Sequence, residues 1–296
     1  MSNRGQSKLL LGAFFVLVLS CWAASRIQNS GGQVHVDSIK IPTHNGQWVV
    51  ADLFKPRSVT ADSPAPFVVV IPGFQRSKEA LSNVAIELSR RGFVAASIDP
   101  YAQGSSSASL SRIAATTEGY GMFALVDYVA SSSNLNYVDR SRIGATGHSA
   151  GGNAAIRGAN YFGREAARTG KPSKLHSVYV SGYVLTLTDE VLQDVRSNVG
   201  VAYALYDEGA YRNAYGDGDM RIAPEALRAV NSGLPASEAI SEVELGRYYG
   251  DLQQRTLRVI HNERNLHPFQ PYMAEAIANQ IEYVEKVFDV QSGLDP

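Results

Sequence analysis

The chain has 296 residues, 45% of them hydrophobic and 19% charged, with a formal net charge of −1. That composition can bury a sizeable core, excludes a disordered chain, and allows one large or two small domains. No long run of either charge sign occurs, which excludes the clustered basic face that nucleic-acid binding requires.

The N-terminus departs from this average. Arg4 and Lys8 precede an apolar run from Leu9 to Ala24, the pattern of an export signal. The run is somewhat shorter than the ~20 residues that span a bilayer comfortably. Positive charge ahead of it predicts a cytoplasmic N-terminus and an exported remainder. The bulky Cys21-Trp22 near its end favours an uncleaved membrane anchor. The alternatives are cleavage near Ala23-Ala24-Ser25, giving a secreted protein, and lipidation of Cys21, which closes a lipobox-like Val18-Leu19-Ser20-Cys21. Cys21 is the only cysteine, so the exported part has no disulfide, no cysteine nucleophile and no cysteine-based metal site. Residues 25–32 are small and polar and read as a linker. Residues 1–32 are thus the signal or anchor segment, and residues 33–296 the domain.

Within the domain, Gln33–Ile41 and Trp48–Phe54 alternate like strands, and His44-Asn45-Gly46 between them is a hairpin signal. Pro56–Pro66 is a loop. Phe67–Ile71 is wholly apolar, the mark of a strand buried on both faces of a parallel sheet, and ends in Pro72-Gly73-Phe74. Lys78–Arg91 has helical periodicity, Phe93–Ile98 is the next buried strand, and Thr117–Val129 the next helix. Arg142–Thr146 reads as a strand and Gly152–Tyr161 as a helix. His176–Val184, Val199–Tyr206 and Thr256–His261 complete the strands, and Met273–Val290 is a C-terminal helix. Residues 209–255, with a helix-like Ala223–Val230, are too long for a simple crossover. They read as an insertion between the last two strands, either a substrate-contacting flap or a decorated surface connection. The order predicts a mostly parallel central sheet flanked by helices, with ligands at the carboxyl ends of the strands.

Gly147-His148-Ser149-Ala150-Gly151 joins the Arg142–Thr146 strand to its helix. A serine on such a turn is exposed above the sheet, and glycines flank it because side chains would strike the strand and helix. The competing reading is a small-residue turn without chemistry. A serine nucleophile needs a base, and the base an acid that orients it, in the chain order Ser, Asp or Glu, His. That order eliminates His35, His44 and His148, and His176 precedes any suitable acid. His267, in the loop before the C-terminal helix, is preferred over His261, which ends a strand. Asp207 is preferred over Glu208 as the first acid after the Val199–Tyr206 strand. The backbone N–H groups of Ala150 and Phe74 are the candidate oxyanion donors. No metal-ligand pattern and no phosphate-cradling glycine loop is present, so neither metal nor cofactor is expected.

These residues together resemble the α/β-hydrolase superfamily, in its bacterial dienelactone hydrolase and acyl-esterase-like branch. The resemblance rests on Gly147–Gly152, Phe67–Gly73, the run from Ala85 to Asp99, Tyr206-Asp207-Glu208 and Leu266-His267-Pro268-Phe269, and covers roughly residues 33–290. One departure is Pro72-Gly73, where many relatives carry His-Gly. The resemblance implies the α/β-hydrolase fold, a Ser149–Asp207–His267 triad, a backbone oxyanion hole, and cofactor-free hydrolysis through an acyl-serine intermediate. The expected partner is a small-molecule ester. Other expectations are a peptidase, thioesterase or acyltransferase on the same scaffold, and, in another class, a catalytically silent membrane-tethered binding module. The absence of a large lid between the strands near 184 and 199 favours small or accessible esters over long lipids.

Overall fold

The computed structural model describes residues 3–43 and 46–295. It opens with helix α1, Asn3–Gln28, whose apolar side chains from Leu9 to Trp22 are exposed. At 1.5 Å per residue, the apolar stretch Gly5–Gln28 reaches about 36 Å, long enough to cross a bilayer core. The helix therefore runs through residues 25–28, which the sequence reads as linker. What remains of the linker is a short 3₁₀ turn, Ser30–Gly32, where the Asn29 side chain accepts from the Gly32 N–H.

The body is an eight-stranded sheet in the order β1-β2-β4-β3-β5-β6-β7-β8. The strands are β1 Val34–Pro42, β2 Trp48–Pro56, β3 Ala65–Ile71, β4 Val94–Ile98, β5 Val138–His148, β6 Ser177–Ser181, β7 Asn198–Ala204 and β8 Arg258–Glu263. β1 and β2 pair antiparallel, β2 joins β4 antiparallel, and every other pairing is parallel. The turn expected between β1 and β2 rests on His44 and Asn45, which lie outside the described residues.

β3 shows why the sheet must be covered on both faces. Phe67, Val69 and Ile71 enter one apolar cluster, and Val68 and Val70 the other. The first cluster is filled from α4 Met122–Ser131, α5 Ala150–Thr169 and α7 Pro224–Asn231; the second from α2 Ser82–Arg90 and α8 Ala274–Phe288. The two remaining helices are single turns, α3 Ala114–Thr117 and α6 Asp189–Leu192, the latter capped by the Thr188 side chain and not signalled in the sequence.

Several boundaries differ from the sequence reading. The helix expected over Lys78–Arg91 begins as a 3₁₀ turn, Lys78–Leu81. The helix expected over Thr117–Val129 is broken at Gly119-Tyr120-Gly121, all three with positive φ. At Gly121 a Cβ would come within 2.6 Å of Val49, so the close approach to β2 requires glycine there. β6 stops at Ser181 because Gly182 turns with φ 64°, and β7 stops at Ala204, short of Tyr206. β8 runs on to Glu263, which leaves His261 inside the strand.

Candidate active site

The parallel strands end together, so residues 72–74, 149, 182–185, 205–213 and 264–267 converge at one edge of the sheet. Ser149 follows β5 directly and caps α5. Its φ of 57° and ψ of −122° are strained for a residue with a Cβ, a cost of order 1–3 kcal/mol. The surroundings enforce the conformation. Its N–H donates to the Ser181 carbonyl at 2.8 Å. A Cβ on Gly147 would lie 2.3 Å from the Gly151 backbone, and one on Gly151 2.0 Å from the Ile71 carbonyl oxygen.

Asp207 and His267 meet because the segments after β7 and at the end of β8 are laced together. After β7, the Leu205 N–H donates to the Glu263 carbonyl and the Tyr206 N–H to the Asn265 carbonyl. This sets Asp207 beside the loop that leads to His267, and Asp207 Oδ2 lies 2.8 Å from His267 Nδ1. Asp207 Oδ1 accepts the Gly209 N–H at 2.6 Å. Burial works to raise the Asp207 pKa. The hydrogen bonds from His267, Gly209 and the Tyr203 hydroxyl outweigh it and hold the carboxyl below the usual range.

Ser149, Asp207 and His267 line one cavity of about 410 Å³, with Gly182–Leu185, Tyr203, Glu208, Tyr211 and Arg212 among its other walls. The alternatives stand elsewhere. Glu208 is exposed at the cavity wall, while the hydrogen bond to His267 comes from Asp207. His261 is buried in β8 opposite Ala202, packs on the Tyr179 ring, and burial pushes its pKa down to about 4. Gly73 sits against Ser149, and a Cβ there would be 3.2 Å from the serine Cβ. Phe74, next along, turns its ring to solvent (67% exposed), as do Tyr206 (56%) and Tyr211 (69%), and of the three Tyr211 lines the cavity. Ala150 is the first residue of α5, where N–H groups have no partner within the helix.

Of the 209–255 stretch, residues 209 and 211–213 reach this cavity. A larger cavity of about 870 Å³ lies among Val243, Arg247, Tyr249 and their neighbours, away from the serine. Among the described residues, no group of three His, Cys, Asp or Glu side chains is placed to hold a metal ion.

Sequence reasoning missed a supporting layer. His148, set aside as a base by chain order, is buried behind His267 with ring centroids 4.6 Å apart and Nδ1 3.1 Å from the Ser181 hydroxyl. Burial, reinforced by the neighbouring His267, pushes its pKa down to about 3, so it stays neutral. Glu263 ends β8 with its carboxylate accepting from Gln270 at 2.9 Å and Asn279 at 3.0 Å. Gln270 belongs to the 3₁₀ turn His267–Tyr272, so Glu263 pins the segment that begins with His267.

With this geometry in view, the comparisons with known proteins are direct. The model of the PET hydrolase-like family matches residues 22–208, more than half of the chain. The chain belongs to the PET hydrolase-like family. The matched region includes the serine elbow and Asp207 and stops before His267. No curated protein matches the sequence. Solved structures share its fold at low identity. An esterase of Pyrococcus furiosus is 12% identical with a TM-score of 0.57, over 86% of this chain and 94% of that one. A dienelactone hydrolase of Anabaena variabilis is 13% identical with a TM-score of 0.56, over 88% and 100%. Dipeptidyl peptidase 4 of Porphyromonas gingivalis is 14% identical with a TM-score of 0.60, over 88% of this chain and 36% of that one. The sheet order, the flanking helices and these likenesses make the fold that of an α/β-hydrolase. The PET hydrolase-like match is consistent with the α/β-hydrolase superfamily that the sequence resembles.

Proposed function

We propose that the protein is a serine hydrolase that cleaves carboxylic esters through an acyl-serine intermediate, held at the membrane by α1 with its domain exported. The observation that carries the reading is the Asp207–His267 hydrogen bond opening into the same cavity as Ser149. With Nδ1 engaged by Asp207, the Nε2 of His267 is the nitrogen that takes the Ser149 proton as Oγ attacks the ester carbonyl. Asp207, kept ionised, orients the imidazole and stabilises the imidazolium. The N–H groups of Ala150 and Phe74 receive the tetrahedral oxyanion, a contribution of about 3–4 kcal/mol per donor in comparable sites. His267 then protonates the leaving alcohol, and water, activated by the same imidazole, releases the acid.

The strain at Ser149 supports this reading over a turn without chemistry, since a strained φ beside a cavity marks a functional position. The small cavity, with the exposed Tyr211 in its wall, favours a short acyl group attached to a flat or aromatic remainder. The family's description points the same way, so a PET-type aromatic polyester belongs among the test substrates.

The test is hydrolysis of p-nitrophenyl acetate, butyrate, octanoate and palmitate and of a PET film, with fluorophosphonate labelling alongside. Turnover of the shorter esters, with labelling and turnover both lost in Ser149→Ala, is the expected result. Labelling with turnover only of peptides or thioesters would move the assignment to a peptidase or thioesterase. A folded protein that neither labels nor turns over would leave a binding module.

A further inference from the structure

The anchor and the catalytic mouth lie at opposite ends of the sheet. β1 pairs antiparallel with β2, and β2 antiparallel with β4, so β1 runs in the same direction as the parallel strands. Its first residue therefore sits at their amino edge. The register makes this quantitative. Val36 pairs with Phe54, Phe54 with Ala95, Ala95 with Val68, and Val68 with Gly144. Val34, two residues earlier, is level with Arg142. Ser149 lies seven residues further along the strand direction, roughly 23 Å at about 3.3 Å per residue.

The connection between anchor and sheet is too short to undo this. Only residues 29–33 separate α1 from β1. Fully extended, the six steps from Gln28 to Val34 would reach about 21 Å, less than the climb from the amino edge to the serine. They are also tied down. The Val34 N–H donates to the Asn29 carbonyl at 3.0 Å and the Arg57 N–H to the Gln33 carbonyl at 2.8 Å. Arg57 Nε donates to the Gly32 carbonyl at 2.7 Å. Arg57 and Ser58, both exposed, follow β2 at this same edge, and Arg90 ends α2 there.

We infer that the domain rests over the membrane on its amino-edge face, around Gln33, Arg57 and Ser58. The Ser149 mouth then points away from the bilayer, and the ester arrives from the external aqueous phase and is not a bilayer lipid. This deepens the reading of the same site and rests on both the ester hydrolysis and the anchoring proposed above. The physical consequence is selection by access. A phospholipid whose ester lies in the bilayer would have to leave the membrane and travel around the domain to reach Ser149. A water-borne ester, or a polymer presented from outside, meets the open mouth directly.

The experiment uses the full chain in phosphatidylethanolamine–phosphatidylglycerol vesicles, on a Cys21→Ser background. A fluorophore is placed at Ser58→Cys for the amino edge. Arg264→Cys and, independently, Leu185→Cys report on the carboxyl edge, and a short-range quencher is attached to the lipid headgroups. Strong quenching at position 58 with none at 264 or 185 is expected. Alongside it, p-nitrophenyl butyrate should be cleaved at least tenfold faster than a fluorogenic phospholipid embedded in the same vesicles. Quenching at 264 and 185, or preference for the embedded phospholipid, overturns the orientation. Protein found free of vesicles overturns the anchoring and the orientation with it, while ester hydrolysis in solution would survive. The expected quenching with no ester cleaved in any form would sustain the orientation and overturn the ester reading.

Discussion

His267 Nδ1 and Asp207 Oδ2 stand 2.8 Å apart, 60 residues distant in the chain. The contact is created by two backbone hydrogen bonds from the loop after β7 to the end of β8 and the loop that follows it. Because the Asp207 carboxyl is held below the usual pKa range, it is ionised at neutral pH and fixes which imidazole nitrogen carries the proton. Asp207→Asn should therefore retain the fold yet lower kcat by about 10³–10⁴ on p-nitrophenyl butyrate, as loss of the orienting acid does in such triads. Glu208→Gln should stay within a few-fold of wild type. A larger loss from Glu208→Gln than from Asp207→Asn would reassign the acid.

His148 backs this pair. It is neutral, buried, and in ring contact with His267, so it acts as packing for the imidazole and not as a proton carrier. Replacing it with alanine leaves a void behind His267 and frees that ring to tilt. His148→Ala should lower kcat by about ten- to a hundred-fold with little change in KM, in keeping with the cost of ångström-scale misplacement. His148→Phe, which refills the space, should recover part of the loss. Equal kcat in wild type and His148→Ala would remove the packing role.

The elbow should tolerate no added methyl group. At Gly151 a Cβ would sit 2.0 Å from the Ile71 carbonyl oxygen and 2.7 Å from that of Pro72, both backbone atoms that cannot swing away. Gly151→Ala is expected to destabilise by about 1–3 kcal/mol or more and to displace Ser149. Calorimetry with fluorophosphonate labelling would read both. A variant of wild-type Tm and labelling rate would contradict the close approach.

Much of this was legible in the sequence, and the parts that were not share a cause. Wholly apolar runs such as Phe67–Ile71 declare buried parallel strands, and Gly147–Gly151 declares the elbow, because those patterns are local. Thr117–Val129 has helical periodicity throughout, although glycines flank Tyr120; the contact of Gly121 with Val49 that breaks the helix lies 72 residues away. The preference for His267 over His261 rests on a local cue, a loop position against a strand end, and β8, running on to Glu263, sets His261 deeper in the strand than that cue implies. Glu263, Gln270 and the packing of His148 left no mark, since each matters only through a partner on another element.

Stability should fall steeply with acid. His148, His176 and His261 have pKa values pushed down to about 3, about 4 and about 4, chiefly by burial. In the unfolded chain they bind protons near pH 6.5, where the native state does not, so stability is lost as pH drops from 6.5 toward 4. Three such groups give a slope of up to about 4 kcal/mol per pH unit near pH 5. Glu263 opposes them, because burial raises its pKa and the native state keeps a proton that the unfolded chain releases. A single group exchanges at most one proton, so the three histidines still set the sign of the slope. Tm measured from pH 7 to 4.5 should fall throughout, and His261→Phe should flatten the curve. A Tm constant over that range would contradict the neutral buried histidines.

Glu263 offers the sharpest test of how His267 is held. Its two carboxyl oxygens accept from Gln270, on the turn that begins with His267, and from Asn279, on α8. Glu263→Gln keeps the shape but turns one acceptor into a donor facing another amide donor, leaving at least one buried polar group unpaired. The expected cost is about 1–3 kcal/mol in stability. The damage should also reach the site, because the freed turn begins at His267. kcat should drop with KM nearly unchanged, and fluorophosphonate labelling should slow in proportion. The double variant Glu263→Gln with Gln270→Glu restores an acceptor to face the new donor and should recover both stability and kcat in part. Stability lost without any change in kcat would make Glu263 a purely structural group.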